Sequence, residues 1–438
     1  MQGGFSLLSL EKIAACATWS VVAIASAHAQ QAPQTGRAPV VSIQEAVAEA
    51  IENNPGLIAE RTGIPVAETA LITAGLRPNP VVSASADHLD ALGTGFNDIN
   101  GAGPSEYALR VDVPWERGHK RELRLDSASY QQRIIRLRIA DSIRRLTLDV
   151  TLGCVDVLEA KAKLALAQEN LQSLERLVTL NETRLKDGAI APVELTRSRV
   201  AMLQFRSNVK TAELALAIAR TRLKAVLGRR PGNGSIDVAD TLKTPLPEHA
   251  PDLTNIQQAA LAARPDVQAI QLDQARSQAD LRLQIAQGKI DYTYGAEYRR
   301  QQGVNGTGNS LGFFFSAPLP VFNRNQGEIA RVRAEQEQLN RALDAQQAQV
   351  SSEVVTAWQE YDTARSLVAE IEKDLIGPSQ QALDTTTYVY QAGATSLVDV
   401  LDAQRAFNET MSAYYGAQAD YRRAASRLTA AVGQEVTP

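Results

Sequence analysis

Two aspartates, Asp399 and Asp402, lie three positions apart in the C-terminal part of the chain, shortly after Gly393. Residues at this spacing share one face of a helix, so both carboxylates would point in the same direction. Stacked carboxylates attract cations and repel anions. Acidic residues are also common in the first turn of a helix, where they face the positive end of the helix dipole. The residues alone leave open whether this pair handles cations or only stabilises a helix start.

The side chains that most often perform catalysis or hold metal ions are scattered along the sequence. Beyond residue 29 the histidines are His88, His119 and His249, and the remaining cysteine is Cys154. They lack the spacing of a zinc site or of a paired-histidine helix motif, and we find no phosphate-binding loop. We therefore expect no enzyme activity, no bound metal and no other cofactor.

The composition is that of a folded protein. The chain has 438 residues, of which 44% are hydrophobic and 21% are charged, which is enough apolar material to bury a sizeable core. Lys and Arg total 45 against 49 Asp and Glu, giving a formal net charge of -4. Because there is no overall basic balance, we expect no nucleic-acid partner.

The longest apolar run, residues 13–27, is interrupted by Thr and Ser and falls short of the about 20 apolar residues that a membrane-crossing helix needs. It is followed by Ala-His-Ala, a small-x-small pattern that signal peptidase recognises. We expect residues 1–29 to be a secretion signal cleaved between Ala29 and Gln30. The residues before Cys16 also resemble a lipidation site, so lipidation of Cys16 stays open as an alternative.

Several blocks of the sequence recur about half a chain later, which predicts an internal two-fold repeat. Matching positions are separated by 210, 206 and 205 residues: Pro55 and Pro265, Pro114 and Pro320, and Gly188 and Gly393. The predicted divisions are a signal peptide (1–29), a first repeat of helix, β-hairpin and long helical hairpin (30–228), a connector (229–251) and a second repeat (252–438).

Helix starts are marked at the beginning of each predicted repeat. Ser42 followed by Glu45 is a capping box, in which each side chain satisfies a backbone amide of the other residue. Asp252 or Thr254 can cap the matching helix of the second repeat. Both halves are therefore expected to open with a helix.

Each predicted repeat also contains two short segments that alternate apolar and polar residues, a pattern typical of half-buried strands. These segments are residues 82–86, 107–113, 290–298 and 311–319. Gly- and Asn-rich stretches at 88–105 and 301–309 join them in pairs, which predicts two hairpins. The sequence therefore predicts four strands.

Long helices account for most of the remaining sequence. Residues 116–186 contain no proline, and as one helix they would extend for roughly 100 Å. Apolar residues at alternating spacings of three and four from Leu164 to Val178 are typical of a coiled coil. Gly188 and Pro192 break this pattern, which predicts a helical hairpin whose tip lies between them.

Four amphipathic strands are too few to close a barrel within one chain. In lipid every backbone polar group needs an internal partner, so a membrane barrel has no open edge. Three copies of the chain would supply twelve strands, a number typical of outer-membrane barrels. We therefore predict a homotrimer with a 12-stranded barrel, continued by a barrel of long helices.

Four segments together resemble the TolC-type family of outer-membrane efflux proteins, and the resemblance extends over nearly all of the chain beyond residue 29. They are NNP at 53–55, LRPNP at 76–80, PVFNRNQGEIA at 320–330 and YQAGATSLVDVLDA at 390–403. The third segment looks most like the branch that serves heavy-metal cation efflux, such as the cobalt-zinc-cadmium and cobalt-nickel resistance systems.

The resemblance implies an α+β membrane protein with a barrel in the outer membrane, in contact with its lipid, and a long periplasmic α-helical barrel. Its implied partners are a periplasmic membrane-fusion adaptor and an inner-membrane RND pump. The expected function is that of an exit duct for divalent cations such as cobalt, nickel, zinc or cadmium. A duct for drugs or for type I polypeptide secretion, and a soluble periplasmic coiled-coil adaptor, are the alternatives.

The resemblance also implies roles for individual residues. Asp399 and Asp402 would form cation-selective rings at a periplasmic gate, which favours the first interpretation of this pair. Tyr390 and Glu194 would link neighbouring hairpins and hold the gate closed, although Thr395 stands where the family can carry an arginine. The hairpin tips that would dock the adaptor are Gly188, Ala189, Gly393 and Ala394.

Overall fold

The computed structural model describes residues 40–93, 105–230, 234, 236–247, 249–303 and 306–436. The predicted signal peptide lies outside the described residues, together with Cys16, Ala29 and Gln30. No helix in the described ranges combines the length and the apolar character needed to cross a membrane.

The described part of the chain is dominated by long helices, with short strands between them. In chain order the elements are β1 (Val40–Val41), α1 (Ile43–Asn53), α2 (Pro55–Arg61), α3 (Gly63–Gly75), β2 (Val81–Asp87), β3 (Glu106–Trp115), α4 (Lys120–Lys186), α5 (Pro192–Val226), β4 (Asp237–Val238), α6 (Leu253–Ala263), α7 (Pro265–Gln287), β5 (Tyr292–Gly303), β6 (Gly306–Ser316), α8 (Gln326–Glu370), a π-helical turn (Ile371–Leu375), α9 (Ile376–Gln391) and α10 (Leu397–Val432).

The predicted helix starts are present. The amide of Glu45 donates to Ser42 Oγ (3.2 Å) and the amide of Ser42 donates to Glu45 Oε2 (2.8 Å), so the capping box of α1 is complete. Asp252, one of the two residues predicted to cap α6, accepts a hydrogen bond from the amide of Asn255 at 3.3 Å. Both capping predictions are confirmed.

The predicted helical hairpin is formed by α4 and α5. α4 has 67 residues, which corresponds to a length of about 100 Å. It ends where Gly188 adopts a left-handed conformation with φ of 72°, a conformation that glycine accepts without steric cost. Pro192 then begins α5 at the first helical position, where its missing N–H needs no partner.

The four predicted strands form one antiparallel sheet in the order β2-β3-β5-β6. Each predicted hairpin pairs as expected, β2 with β3 and β5 with β6. β3 also pairs with β5, which places Arg110 opposite Glu297 and joins the two halves of the chain. Both predicted hairpins are therefore present, but β5 and β6 extend through most of residues 301–309, which were predicted to connect them, and β6 ends at Ser316, before the predicted end at residue 319.

Two features were not predicted from the sequence. β1 and β4 form a two-residue parallel ladder, and the connector residues Ile236 and Val238 are fully buried, so the connector contributes to the core. A π-helical turn at Ile371–Leu375 separates α8 from α9. Its last residue lies three positions before Pro378, which lacks an N–H and crowds the carbonyl four residues earlier, so the regular α-helical ladder is interrupted there.

The core of the described residues consists mainly of two apolar clusters, one in each half. The first lies between α1, α4 and α5 and includes Val150, Cys154 and Leu223. The second lies between α6, α8 and α10 and includes Val354 and Leu428. These two cores fix the long helices, which in turn position the hairpin tips and the aspartate pair.

Candidate functional site

The first of the two predicted gate aspartates is part of the start of α10. The amide of Asp399 donates to Ser396 Oγ (3.3 Å), and Asp399 Oδ2 accepts from the Ser396 amide (3.0 Å) and from Thr395 Oγ1 (2.6 Å). The hydrogen bonds from Thr395 and then from Ser396 lower the pKa of Asp399. The carboxylate is therefore ionised at neutral pH and also caps the helix.

Asp402 lies one turn further along α10. Its carboxylate is 64% exposed and lies 3.3 Å from a guanidinium nitrogen of Arg405, which is 58% exposed. An ion pair this exposed contributes little to stability. Both aspartates are exposed in the single chain, so each is available for a helix-start role and for a surface facing ions.

Tyr390 is buried where α9 packs against α4. It is 2% exposed, and its hydroxyl donates to Asn181 Oδ1 at 2.7 Å. Its carbonyl accepts a hydrogen bond from Arg184 at 3.1 Å, and the Arg184 guanidinium lies 5.1 Å from the centre of its ring. Within one chain the partner of the tyrosine hydroxyl is thus Asn181, while the predicted partner Glu194 lies in the first turn of α5.

A second polar contact holds α10 against α4. Gln404 Nε2 donates to Asn170 Oδ1 at 2.8 Å, and Asn170 Nδ2 donates to Asn408 Oδ1 at 2.6 Å. Asn170 and Gln404 are buried, where unpaired polar groups are costly, so these bonds fix one register between the helices. The orientation of the first turns of α10, and hence of Asp399 and Asp402, is set by this contact.

These polar partners were not predicted from the sequence. The serine at position 396 and the aspartate three residues later are a capping signal that could have been recognised. Arg184 is a basic residue in the last turn of α4, a position where it can bond to nearby carbonyls. Asn170 and Asn181 carry no local signal, because their partners lie more than 200 residues away in the chain.

The four predicted tip residues lie in matching turns. Gly188 and Gly393 have φ of 72° and 80°. The amide of Ala189 bonds to the carbonyl of Arg184 (2.8 Å), and the amide of Ala394 bonds to that of Val389 (3.0 Å). A Cβ added at either glycine would meet no atom within 4 Å. The tips are therefore closed by their own backbone and present an unobstructed surface.

The four-stranded sheet has one apolar face and one charged face. On the apolar face Phe313 is 87% exposed and Leu311 is 75% exposed, and an exposed apolar surface of this kind marks a contact with lipid or another protein. The same face carries Tyr107, Leu109, Val111, Val113, Tyr294, Tyr298 and Phe315. The opposite face carries Glu106, Arg110, Asp112, Glu297 and Arg299.

The described residues contain no group of His, Cys, Asp and Glu side chains arranged to hold a metal ion. Cys154 is buried in the first core cluster, and burial raises the pKa of its thiol to about 12. A thiol with such a pKa is protonated at neutral pH and is a poor nucleophile and metal ligand.

Comparison with known proteins gives a consistent result. The sequence model of the outer membrane efflux protein family matches residues 46–229 and 256–434. The cobalt-zinc-cadmium resistance protein CzcC of Cupriavidus metallidurans is 23% identical over 407 residues, which cover 92% of each protein. Nodulation protein T of Rhizobium leguminosarum bv. trifolii is 25% identical over 305 residues, 66% of this chain and 63% of the relative.

The fold is also similar to that of a solved structure. A crystal structure of CusC, studied for its transmembrane channel formation, superposes with a TM-score of 0.71 at 17% identity, covering 92% of this chain and 96% of CusC. The family match covers both halves of the chain and most of its described helices. The chain therefore belongs to the outer membrane efflux protein family of the TolC type, and it is an outer-membrane protein and not an enzyme.

Proposed function

We propose that this protein is the outer-membrane channel of a tripartite RND-type efflux system that exports divalent heavy-metal cations of the cobalt, nickel, zinc or cadmium class. We infer heavy-metal cations as the substrate from the similarity to the cobalt-zinc-cadmium resistance protein CzcC, which extends over 92% of both chains. The channel itself would only provide a pore through which the cations diffuse. The inner-membrane pump would supply the energy for export.

The sheet supports a barrel shared between chains. β2 and β6 form its two edges, and in lipid the backbone groups of an edge need partners. β2 of one copy would pair with β6 of the next, so that three copies close a 12-stranded barrel. The exposed apolar face, with Phe313 and Leu311, would then face lipid and the charged face would face the pore.

The long helices would form the periplasmic extension of this channel, with the hairpin tips of both halves facing a periplasmic adaptor protein. In the trimer Asp399 and Asp402 would form two stacked carboxylate rings at the narrow end. Such rings lower the energy of a cation and raise that of an anion. Tyr390, with Glu194 of a neighbouring hairpin, would contribute to the closed state of this gate.

A duct needs a low affinity for the metal cations that pass through it, and the side chains of the described residues are consistent with this requirement. Tight metal binding would slow release, and the described residues hold no cluster of metal ligands. Carboxylates that attract cations without enclosing them permit passage. The pore would thus concentrate divalent cations and still let them leave.

A second candidate is a duct for other cargo, such as drugs or secreted polypeptides. The similarity to nodulation protein T, whose name refers to no metal, favours this alternative. A soluble periplasmic adaptor is disfavoured by the exposed apolar face of the sheet, which has no role in a protein surrounded by water.

Deletion of the gene tests the proposal. The deletion strain should become sensitive to at least one of cobalt, nickel, zinc and cadmium and should retain more of that metal, and the wild-type gene should restore tolerance. Unchanged metal tolerance with increased sensitivity to drugs would favour the second candidate. Release of the protein from washed outer membranes by carbonate alone would contradict the channel itself.

A further inference from the structure

The charged face of the sheet carries more acids than bases, and the strand register brings them together. Arg110 lies opposite Glu297, and Ala108 lies opposite Arg299. Alternate residues of a strand point to the same face, so this face has two arginines and four acids in the described strands: Arg110, Arg299, Asp87, Glu106, Asp112 and Glu297.

Each arginine is bonded to carboxylates on this face. Arg299 lies between two of them, with nitrogen–oxygen distances of 2.8 Å to Glu106 and 3.0 Å to Glu297. Arg110 bonds to Asp112 at 2.8 Å, and its guanidinium lies 4.1 Å from the centre of the Phe314 ring. Three of the four acids therefore have an arginine partner.

Glycines provide the room for these pairs. Gly295 lies between Asp112 and Phe314 on the neighbouring strands. A Cβ at Gly295 would collide with Asp112 Oδ1 and would lie 3.3 Å from Arg110 Nε. A Cβ at Gly312 would lie 3.1 Å from the Phe314 ring. The glycines thus leave room for Arg110 to contact both the Asp112 carboxylate and the Phe314 ring.

We propose that Arg110 and Arg299 mask the carboxylates of the barrel wall, so that divalent cations pass through the outer-membrane section without being retained. This inference rests on the proposed channel, in which the charged face lines the pore. Glu106 and Glu297 bond to different nitrogens of the same Arg299 guanidinium, and paired carboxylates are ligands of the type that divalent cations bind. Arg stays charged at every physiological pH, so the mask does not titrate.

The mask distinguishes the barrel from the proposed gate. The side-chain partners of Asp399 are Thr395 and Ser396, while Asp402 pairs with Arg405, and both members of that pair are more than half exposed. At the gate Asp399 is bonded by uncharged groups and Asp402 by an exposed arginine, so both carboxylates stay accessible to cations, whereas in the barrel three of the four carboxylates are bonded to Arg110 or Arg299. A cation would therefore be drawn in at the periplasmic end and would meet a wall of low affinity at the exit.

Single-channel recordings in planar bilayers test the mask with the Arg299→Gln variant. The glutamine cannot neutralise Glu106 and Glu297, so cadmium added on the side of the β-hairpin loops should block the variant at a concentration roughly tenfold lower than the wild type. The matched control is Arg300→Gln, because residue 300 is adjacent and points to the opposite, apolar face. Its block should equal that of the wild type.

Two further measurements distinguish the loss of the arginine charge from a folding defect. Combining Arg299→Gln with Glu106→Gln and Glu297→Gln should return the block to the wild-type value, and Arg110→Gln should increase it through Asp112. Only assembled protein conducts, so a conducting Arg299→Gln channel with unchanged block would overturn the mask while leaving the channel intact. Failure of the wild-type protein to conduct would instead overturn the proposed function, and the mask with it.

Discussion

The side-chain amide of Asn54 donates a hydrogen bond to the backbone carbonyl of Val226, 2.9 Å away. In the second half the guanidinium of Arg264 donates to the carbonyl of Ala431 at 3.2 Å. Asn54 and Arg264 directly precede α2 and α7. The two carbonyls that they contact lie in the last turns of the long helices α5 and α10. Asn54 and Arg264 are 210 positions apart and Val226 and Ala431 are 205 positions apart, which match two of the offsets of the predicted repeat.

Replacing Arg264 should cost more stability than replacing Asn54. Arg264 is 2% exposed and pairs with Asp266 and Glu353, both at 2.6 Å. Removing one partner from a buried ion pair leaves uncompensated charge, so we expect Arg264→Met to lower the free energy of unfolding by about 3 kcal/mol and Asn54→Ala by about 1 kcal/mol. Denaturant unfolding followed by circular dichroism in detergent measures both.

The control for this prediction is Arg341→Met, because the Arg341–Glu337 pair on α8 is exposed. Its loss should change stability by less than about 0.5 kcal/mol. Equal effects of the Arg264 and Arg341 substitutions would contradict a structural role for the buried pair.

The same pair predicts a pH dependence. Burial by itself raises the pKa of Asp266, but the hydrogen bonds from Arg264 outweigh it and hold this pKa below its ordinary value. A depressed pKa in the folded state stabilises the protein above the ordinary value of about 3.9, and this stabilisation is lost as the pH falls through the folded value. Stability measured between neutral pH and pH 3 should therefore fall less steeply in Arg264→Met than in the wild type, and equal slopes would contradict the assignment.

Neutralising the proposed gate should change ion selectivity. The double substitution Asp399→Asn and Asp402→Asn removes both carboxylate charges, while an asparagine at 399 can still accept hydrogen bonds from the Ser396 capping site. In planar bilayers the double variant should lose its preference for cations, and block by divalent cations from the periplasmic side should weaken.

A matched control for the gate is Glu213→Gln on α5, where the carboxylate pairs with Lys210 at the surface. This variant should keep the selectivity of the wild type. If the aspartates serve only as helix-start residues, the double variant will show unchanged selectivity and unchanged block, and the gate assignment will be wrong.

The two capping boxes allow a direct comparison. Ser396→Ala removes the acceptor for the amide of Asp399, and Ser42→Ala removes the acceptor for that of Glu45. Each should lower the free energy of unfolding by about 1 kcal/mol. Ser396→Ala should in addition alter the selectivity of the channel, because it removes the hydroxyl that donates to Asp399 Oδ2, whereas Ser42→Ala should leave selectivity unchanged. If both variants keep the selectivity of the wild type, the Ser396 cap has no influence on the proposed gate.

The left-handed glycines differ in what surrounds them. Gly188 and Gly228 have φ of 72° and 76°, so alanine is strained at both by about 1 kcal/mol. A Cβ at Gly228 would also collide with the carbonyl of Asn53, whereas at Gly188 it would meet no atom within 4 Å. Gly228→Ala should therefore cost a further 1–3 kcal/mol or so, measured as the difference between the two unfolding free energies. Equal costs would contradict the close packing at Gly228.

The sequence was sufficient to predict the features that depend on local patterns. Strand alternation predicted four strands in two hairpins, and the capping box at Ser42 predicted the start of α1, because both depend on residues close in the chain. Gly188 was predicted as a helix end for the same reason. These positions are set by the backbone preferences of a few neighbouring residues.

The missed features depend on residues far apart in the chain. The bonds from Tyr390 to Asn181 and from Gln404 to Asn170 join residues more than 200 positions apart. The pairing of Arg299 with Glu106 depends on the register between β3 and β5. Periodicity cannot specify such pairings, because each side chain is compatible locally with a solvated surface. The π-helical turn had a local signal in Pro378, which the sequence reasoning passed over.

The π-helical turn at Ile371–Leu375 gives the two halves of the molecule different mechanical stiffness. α4 runs for 67 residues without a break, while its counterpart in the second half is divided between α8 and α9. Bending a helix strains its hydrogen-bond ladder, and the strain is smallest where the ladder is already irregular. A force perpendicular to the long helices would therefore bend the second half at the π-helical turn. α9 would move relative to α8, while the continuous helix α4 would stay straight.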